Sequence, residues 1–253
     1  MNVGITNQKG GVGKTTIAQN LAAALSRIGK KTLMIDFDPQ ASLTKAIFGR
    51  SSKISETKAY VRNFYNETMV TPMPINENLF FIGSDSMLSG VADRGIDAVW
   101  GLKEGIEKLP DKFDYVLIDS LPSMGSLFLA VLAACDRVII PVVPEFQVLN
   151  GLNDFFETVE KAKNRRINPD IAVAGIIFSM VESHKRNMQS AIMDELKQDM
   201  DGLVWETKIY KRVTISEAPG LGQNIFEYDR AGTSHSYFTA LAKEFIRKME
   251  ASK

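Results

Sequence analysis

The string Lys9-Gly10-Gly11-Val12-Gly13-Lys14-Thr15-Thr16 follows a short apolar run, Asn2 to Thr6, and precedes a stretch with helical periodicity. Nothing else in the sequence limits the fold as tightly. Glycines at three of these eight positions leave the backbone without Cβ atoms where it must turn sharply and approach another group closely. A loop of this kind turns successive N–H groups inward and forms a concave anion site. Lys14 adds a point charge and Thr15 a hydroxyl suited to Mg²⁺, while the helix that starts there brings the positive end of its dipole. Together Gly10, Gly11, Val12, Gly13, Lys14, Thr15 and Thr16 fit the phosphates of a nucleoside triphosphate. The strand, loop and helix that carry them belong to an α/β fold.

In the general spelling G-x-x-x-x-G-K-[ST], the leading glycine falls here on Gln8, and a second lysine, Lys9, stands next to it. With that lysine, the string resembles the deviant Walker A motif of the ParA/MinD family of ATPases. The resemblance implies ATP and Mg²⁺ as cofactors. It also implies a catalytic role for Lys9 beside Lys14, because the family's extra lysine reaches across a nucleotide-sandwich homodimer to the partner's phosphates. Such a contact is comparable to an arginine finger supplied in trans, worth on the order of 10³–10⁵ in rate for small GTPases. Hydrolysis is then slow in the monomer, and the nucleotide acts as a timer that closes and opens the dimer.

The rest of the chain alternates strand and helix. Thr15 to Ile28 places Ile17, Leu21, Ala24, Leu25 and Ile28 on one helical face and ends at Gly29. Thr32 to Ile35 is an apolar strand leading into Asp36-Phe37-Asp38-Pro39-Gln40, so two carboxylates are expected where strand gives way to loop. Short helices are expected over Ser42 to Ile47 and Glu56 to Tyr65, a break at Pro72 and Pro74, and a strand over Leu79 to Ile82. Met87 to Leu109 is expected to be helical in two pieces, interrupted at Gly95 or Gly101. Tyr115 to Asp119 is a hydrophobic strand ending in a carboxylate. Further strands are expected over Arg137 to Val142, Ile171 to Phe178 and Val204 to Ile209, with helices over Val148 to Lys163, Asn187 to Met200 and Ser234 to Met249. Continuous apolar strands separated by helices imply a mostly parallel twisted sheet covered on both faces, in a single domain spanning residues 1–253.

Asp119 stands at the Walker B position and Asp36 to Gln40 matches the family's D-x-D-P-Q motif. The resemblance therefore implies that Asp38 orients the attacking water, that Thr15 and Asp119 hold Mg²⁺, and that Asp36 supports the metal or the loop around it. A strand-end aspartate more often caps the following turn, which is the competing structural role for each. The segment Pro141 to Gly151 resembles the family's strand and loop after Walker B. Ser216-Glu217-Ala218-Pro219 resembles its E-A-P segment near the adenine, and the resemblance offers Tyr210, Arg212 and Pro219 as further nucleotide-binding residues. Two positions depart from the family: Leu121-Pro122 replaces a pair of prolines, and Thr214 stands where partitioning members often carry an arginine linked to DNA.

Thirty basic and 30 acidic residues cancel, so no global field draws the chain to nucleic acid or anionic lipid and any such binding is local. Lys161, Lys163, Arg165 and Arg166, then Lys185 with Arg186, then Lys211 with Arg212, are the candidate patches for nonspecific contacts to DNA phosphates. Each is equally a solvated face. Among members of the family, the partitioning ATPases are the nearest match, which implies a ParB-like partner that stimulates hydrolysis. A MinD-like membrane ATPase is the rival, and it needs a terminal basic amphipathic helix. Phe238, Leu241, Phe245, Ile246 and Met249 line one side of the last helix as a core stripe would. A metabolic ligase on the same scaffold is a third reading. A single cysteine, Cys135, leaves a dimer two short of a four-cysteine cluster and argues against the iron-protein variant. No run approaches the roughly 18 apolar residues of a membrane span, and no signal peptide is evident, so a cytoplasmic location is expected.

Overall fold

The computed structural model describes residues 1–49, 59–66, 68–123, 125–146, 148–182 and 186–251. Strands β1 (Asn2–Ile5), β2 (Thr32–Phe37), β3 (Met73–Asn76), β4 (Leu79–Ile82), β5 (Tyr115–Ser120), β6 (Arg137–Val142), β7 (Ala172–Val181) and β8 (Val204–Tyr210) form one sheet. Their order is β3-β4-β2-β5-β1-β6-β7-β8, and every pairing is parallel except the edge hairpin of β3 with β4. The α-helices are α1 (Lys14–Arg27), α2 (Ser42–Phe48), α3 (Ile96–Glu107), α4 (Ser126–Ala134), α5 (Val148–Asn164), α6 (Arg186–Asp199), α7 (Val213–Glu217), α8 (Ile225–Tyr228) and α9 (Ser234–Ala251).

Strand side chains alternate between two cores. Leu33, Ile35 and Phe37 of β2 join Val116 and Ile118 of β5 and residues of α3 to α6 on one face. Met34, Leu117, Val3 and Ile5 join Leu21 and Leu25 of α1 and Phe238, Leu241 and Phe245 of α9 on the other. Burial on both faces is why these strands read as unbroken apolar runs and not as period-two patterns. The apolar stripe of α9 is therefore core, as its spacing suggested.

The structure departs from the sequence reading in several places, each with a local cause. Strand β2 continues through Asp36 to Phe37, so only Asp38 lies beyond the strand. Residues Val61–Tyr65 form a 3-10 turn, while residues 56–58 of the helix expected there lie outside the described residues. Pro74 sits inside β3, which is tolerated because β3 is an edge strand. Gly95, with φ 64°, separates a 3-10 turn at Ser86–Val91 from α3, and Gly101 stays within the helix. Helix α4 had no stripe to betray it, because Leu127 to Ala134 are apolar almost all round and the helix is buried. The short helices α7 and α8 were also not anticipated.

Candidate active site

Strand β1 lies between β5 and β6 near the middle of the sheet, and the phosphate-loop string leaves from its C-terminal end. Gly11 and Gly13 have φ 72° and 86°, the left-handed region where a Cβ is costly, and Gly13 O accepts the Ile17 N–H at 2.9 Å to start α1. A Cβ on Gly10 or Gly11 would meet nothing within 4 Å, so the space in front of the loop is open. Lys14 is 7% exposed and donates from Nζ to the Asn7 and Lys9 carbonyls at 2.9 and 3.1 Å. Burial lowers its pKa, against the opposing charges of Asp119 and Asp38. Residues Gly10 to Thr16, Asp38, Gln40, Ser42, Ser120 and Met180 line a cleft of about 390 Å³.

The carboxylates converge because β2 and β5 pair in register, setting Asp36 beside Asp119. Asp36 is fully buried. Its Oδ2 accepts the Thr44 N–H at 2.8 Å and the Thr44 hydroxyl at 2.7 Å, and its Oδ1 accepts the Asp38 N–H at 3.2 Å. Burial raises its pKa to about 6, partly offset by the Thr44 bonds. Thr44 Oγ1 in turn accepts the Ser84 N–H at 2.9 Å, so Asp36 ties the start of α2 to the end of β4.

Asp119 is also buried, and burial followed by the Asp36 charge pushes its pKa well up, while a Thr15 side-chain bond and Lys14 oppose the shift. Its Oδ1 is buried without a hydrogen-bond partner, a state that costs about 1–3 kcal/mol when nothing satisfies it. An orphaned carboxylate oxygen beside the Thr15 hydroxyl is the hard-oxygen donor set that Mg²⁺ takes. Asp38, just past the strand, lines the cleft and accepts the Gln40 N–H at 2.8 Å. The residues present thus fit a magnesium-bound triphosphate.

A second chamber of about 180 Å³ adjoins the cleft, with Ile17, Ile209, Tyr210, Arg212 and Ile215 among its walls. Tyr210 and Arg212, which the sequence offers as nucleotide-binding candidates, thus line the chamber next to the phosphate cleft. Pro219 is absent from those walls; it lies in the 3-10 turn Ala218–Leu221, where its carbonyl accepts the Gly222 N–H at 3.1 Å. Two residues on β7 escaped sequence reasoning. Ser179, 2% exposed, donates to the Val12 carbonyl at 2.6 Å and lies 3.2 Å from that of Val142, and Met180 lines both chambers. The serine interrupting an apolar strand was the only hint.

Lys9 does not line the cleft. Its ammonium pairs with Glu145 in the loop after β6, at 57% and 56% side-chain exposure. The basic patches are dispersed. Lys161 and Lys163 pair with Glu157 and Glu160 at the C-terminal end of α5, with Arg165 and Arg166 exposed beyond them. In a parallel sheet that helix end lies at the edge opposite the cleft. Lys211, paired with Glu182 at 3.7 Å, and Arg212, bonded to the Tyr237 hydroxyl at 3.1 Å, follow β8 at the cleft edge. Arg186 opens α6 after β7, and Lys185 lies outside the described residues.

A family model described as an AAA domain matches residues 2–173. The chain is 32% identical over 252 residues to the sporulation initiation inhibitor protein Soj of Bacillus subtilis (strain 168), covering 96% of each protein. It is similar in structure to a putative plasmid partition protein from Borrelia burgdorferi B31 bound to AMPPNP, with TM-score 0.82, 24% identity and 98% of each chain covered. It is equally similar to cobyrinic acid a,c-diamide synthase from Mycobacterium smegmatis with bound ADP and magnesium, with TM-score 0.82 and 23% identity over 100% of this chain and 96% of that one. At these identities the two structures establish a shared fold.

Proposed function

We propose, since this chain belongs to the ParA/Soj family of ATPases, that its ATP-bound form closes into a face-to-face homodimer which holds DNA without reading sequence and lets go after hydrolysis. A second, ParB-like protein stimulates that hydrolysis. The work done is the positioning or segregation of a plasmid, a chromosome or another large cargo. Within one protomer, the N–H groups of Gly10 to Thr16 and the Lys14 ammonium bind the phosphates. Thr15 and Asp119 hold the metal, which supplies charge neutralisation at the transferring phosphoryl group. Asp38 orients the attacking water, and Asp36 fixes the backbone on either side of it through Asp38 N–H and Thr44.

The observation that carries the dimer reading is the direction of Lys9. Its side chain leaves its own cleft for Glu145 and stands half exposed, where a second copy can meet it. Of the basic groups, Lys211 and Arg212 follow β8 at the cleft edge, so nucleotide-dependent closure brings two copies of them together; the α5 group lies at the other edge.

The test compares an Asp38→Ala variant, loaded with ATP, on arbitrary duplex DNA and on anionic liposomes. A dimer by light scattering that is retained on DNA, with retention falling steeply as salt rises, is the expected result. A monomeric ATP complex sinks the dimer. Retention on liposomes without DNA binding transfers the case to a MinD-like membrane role, and neither kind of retention favours a metabolic ligase.

A further inference from the structure

Met180 has φ 53°, a left-handed backbone that a side chain with a Cβ rarely adopts, and it does so inside strand β7. The pairing explains where the distortion sits. Phe178 faces Lys208 and Val181 faces Tyr210, so β7 carries one residue more than β8 over this step and bulges there. In such a bulge the left-handed position ordinarily goes to glycine. A bulge beside a ligand site re-aims a side chain, and strained residues persist where surrounding structure holds them and a site makes use of the geometry.

The surrounding structure does hold this one. Ser179 anchors the bulge to the phosphate loop through the Val12 carbonyl at 2.6 Å. The Met180 Cε lies 3.8 Å from the point a Cβ on Gly13 would occupy, so the thioether rests against the glycine that ends the loop. The phosphate cleft and the smaller chamber share Gly13, Thr16 and Met180, and of these only Met180 comes from outside the loop and its helix. It is 36% exposed, an unbranched apolar chain standing where two cavities meet.

We propose that Met180 is a nucleotide-positioning residue: its thioether forms the wall between the triphosphate cleft and the chamber lined by Ile209, Tyr210 and Ile215. The sugar-and-base end of a nucleoside triphosphate packs against it. The inference rests on the reading of the cleft as an ATP site and extends it to a residue that touches the nucleoside half.

The test uses Met180→Gly, which relieves the backbone and removes the side chain, and Met180→Leu, which keeps an apolar chain of similar volume. Binding of ATP, ADP and inorganic tripolyphosphate is measured by calorimetry, and each ligand-free protein is melted. In Met180→Gly, ATP and ADP are expected to bind roughly tenfold more weakly and tripolyphosphate within about twofold of wild type. Met180→Leu restores ATP binding, and the ligand-free melting temperature of Met180→Gly is not lowered. If Met180→Gly binds ATP as wild type does, or loses ATP and tripolyphosphate equally because the loop collapses, the proposal is overturned. A wild-type protein that binds neither ligand overturns the ATP reading and this inference together, which separates the two failures.

Discussion

Replacing Thr44 with valine keeps the volume and deletes one hydroxyl on which three elements meet. Thr44 is 7% exposed; its Oγ1 donates to Asp36 at 2.7 Å and accepts the Ser84 N–H at 2.9 Å. A hydrogen bond to a charged acceptor is worth about 1.5–3 kcal/mol, and a buried N–H left without an acceptor costs about 1–3 kcal/mol. Thr44→Val is therefore expected to destabilise the protein by about 2.5–6 kcal/mol, or roughly 5–24 °C in Tm for a chain of this size. Thr44→Ser, which keeps the hydroxyl, should lose far less. The sign with pH is fixed by Asp36, whose folded pKa, about 6, lies above its ordinary value of 3.8. The folded state then holds more protons than the unfolded state within that window, so stability contributed at Asp36 falls as pH rises through it. Removing Thr44 Oγ1 withdraws the largest interaction that favours the carboxylate, so the penalty should be larger near pH 8 than near pH 5. Urea melts at both pH values measure it. A loss under about 0.5 kcal/mol, or one equal at the two pH values, refutes the reasoning.

Lys14→Gln should abolish ATP binding by calorimetry, since the buried ammonium is the only side-chain cation lining the cleft among the described residues. Lys9→Ala should leave ATP binding by the monomer within about threefold of wild type while ending stimulated hydrolysis, and a lost monomer affinity would place Lys9 in its own site. Asp119 must ionise to take a metal, and its raised pKa means that Mg²⁺–ATP binding releases a proton and tightens as pH rises; calorimetry in two buffers of different ionisation enthalpy should differ. Glu145→Gln frees Lys9 from an exposed pair worth about 0.2–1 kcal/mol in each of the two protomers, so ATP-dependent dimerisation by light scattering should rise by no more than about thirtyfold.

The parallel sheet and the phosphate cradle were legible because each rests on a local rule: apolar strands covered on both faces, and glycines where the backbone must turn left. Asp36, Asp38 and Asp119 were legible as a set, with a role for each implied by the resemblance, but the division between a buried carboxylate and one at the cleft was not. That division depends on β2 running two residues further than its apolar core suggested, which buries Asp36 against Thr44 and leaves Asp38 at the cleft. Thr44 and Ser179 carry no motif; their importance comes from which carboxylate and which carbonyl the fold sets beside them. Helix α4 was invisible for the opposite reason, since a helix apolar on every side has no period to detect. The basic clusters showed the limit of charge counting: two lysines at the end of α5 are already paired within their own helix, and the topology puts that end at the far edge of the sheet.

The Lys9–Glu145 pair shows why a weak contact suits a switch. A buried ion pair would cost several kcal/mol to break and would hold Lys9 in place against any competitor. An exposed pair costs little, so the stronger charge of a triphosphate on a second copy can take the lysine over. The loop supplies what closure needs next to it. Phe146, adjacent to Glu145, is 85% exposed, a large apolar surface standing free beside a lysine and a carboxylate. A two-fold interface must be self-complementary, and a patch holding one charge of each sign and an apolar ring meets that requirement with its own copy. Under the proposed dimer, closure covers Phe146 and moves Lys9 from a screened carboxylate to the partner's phosphate. Hydrolysis then depends on closure, because the charge that completes the site arrives with the partner.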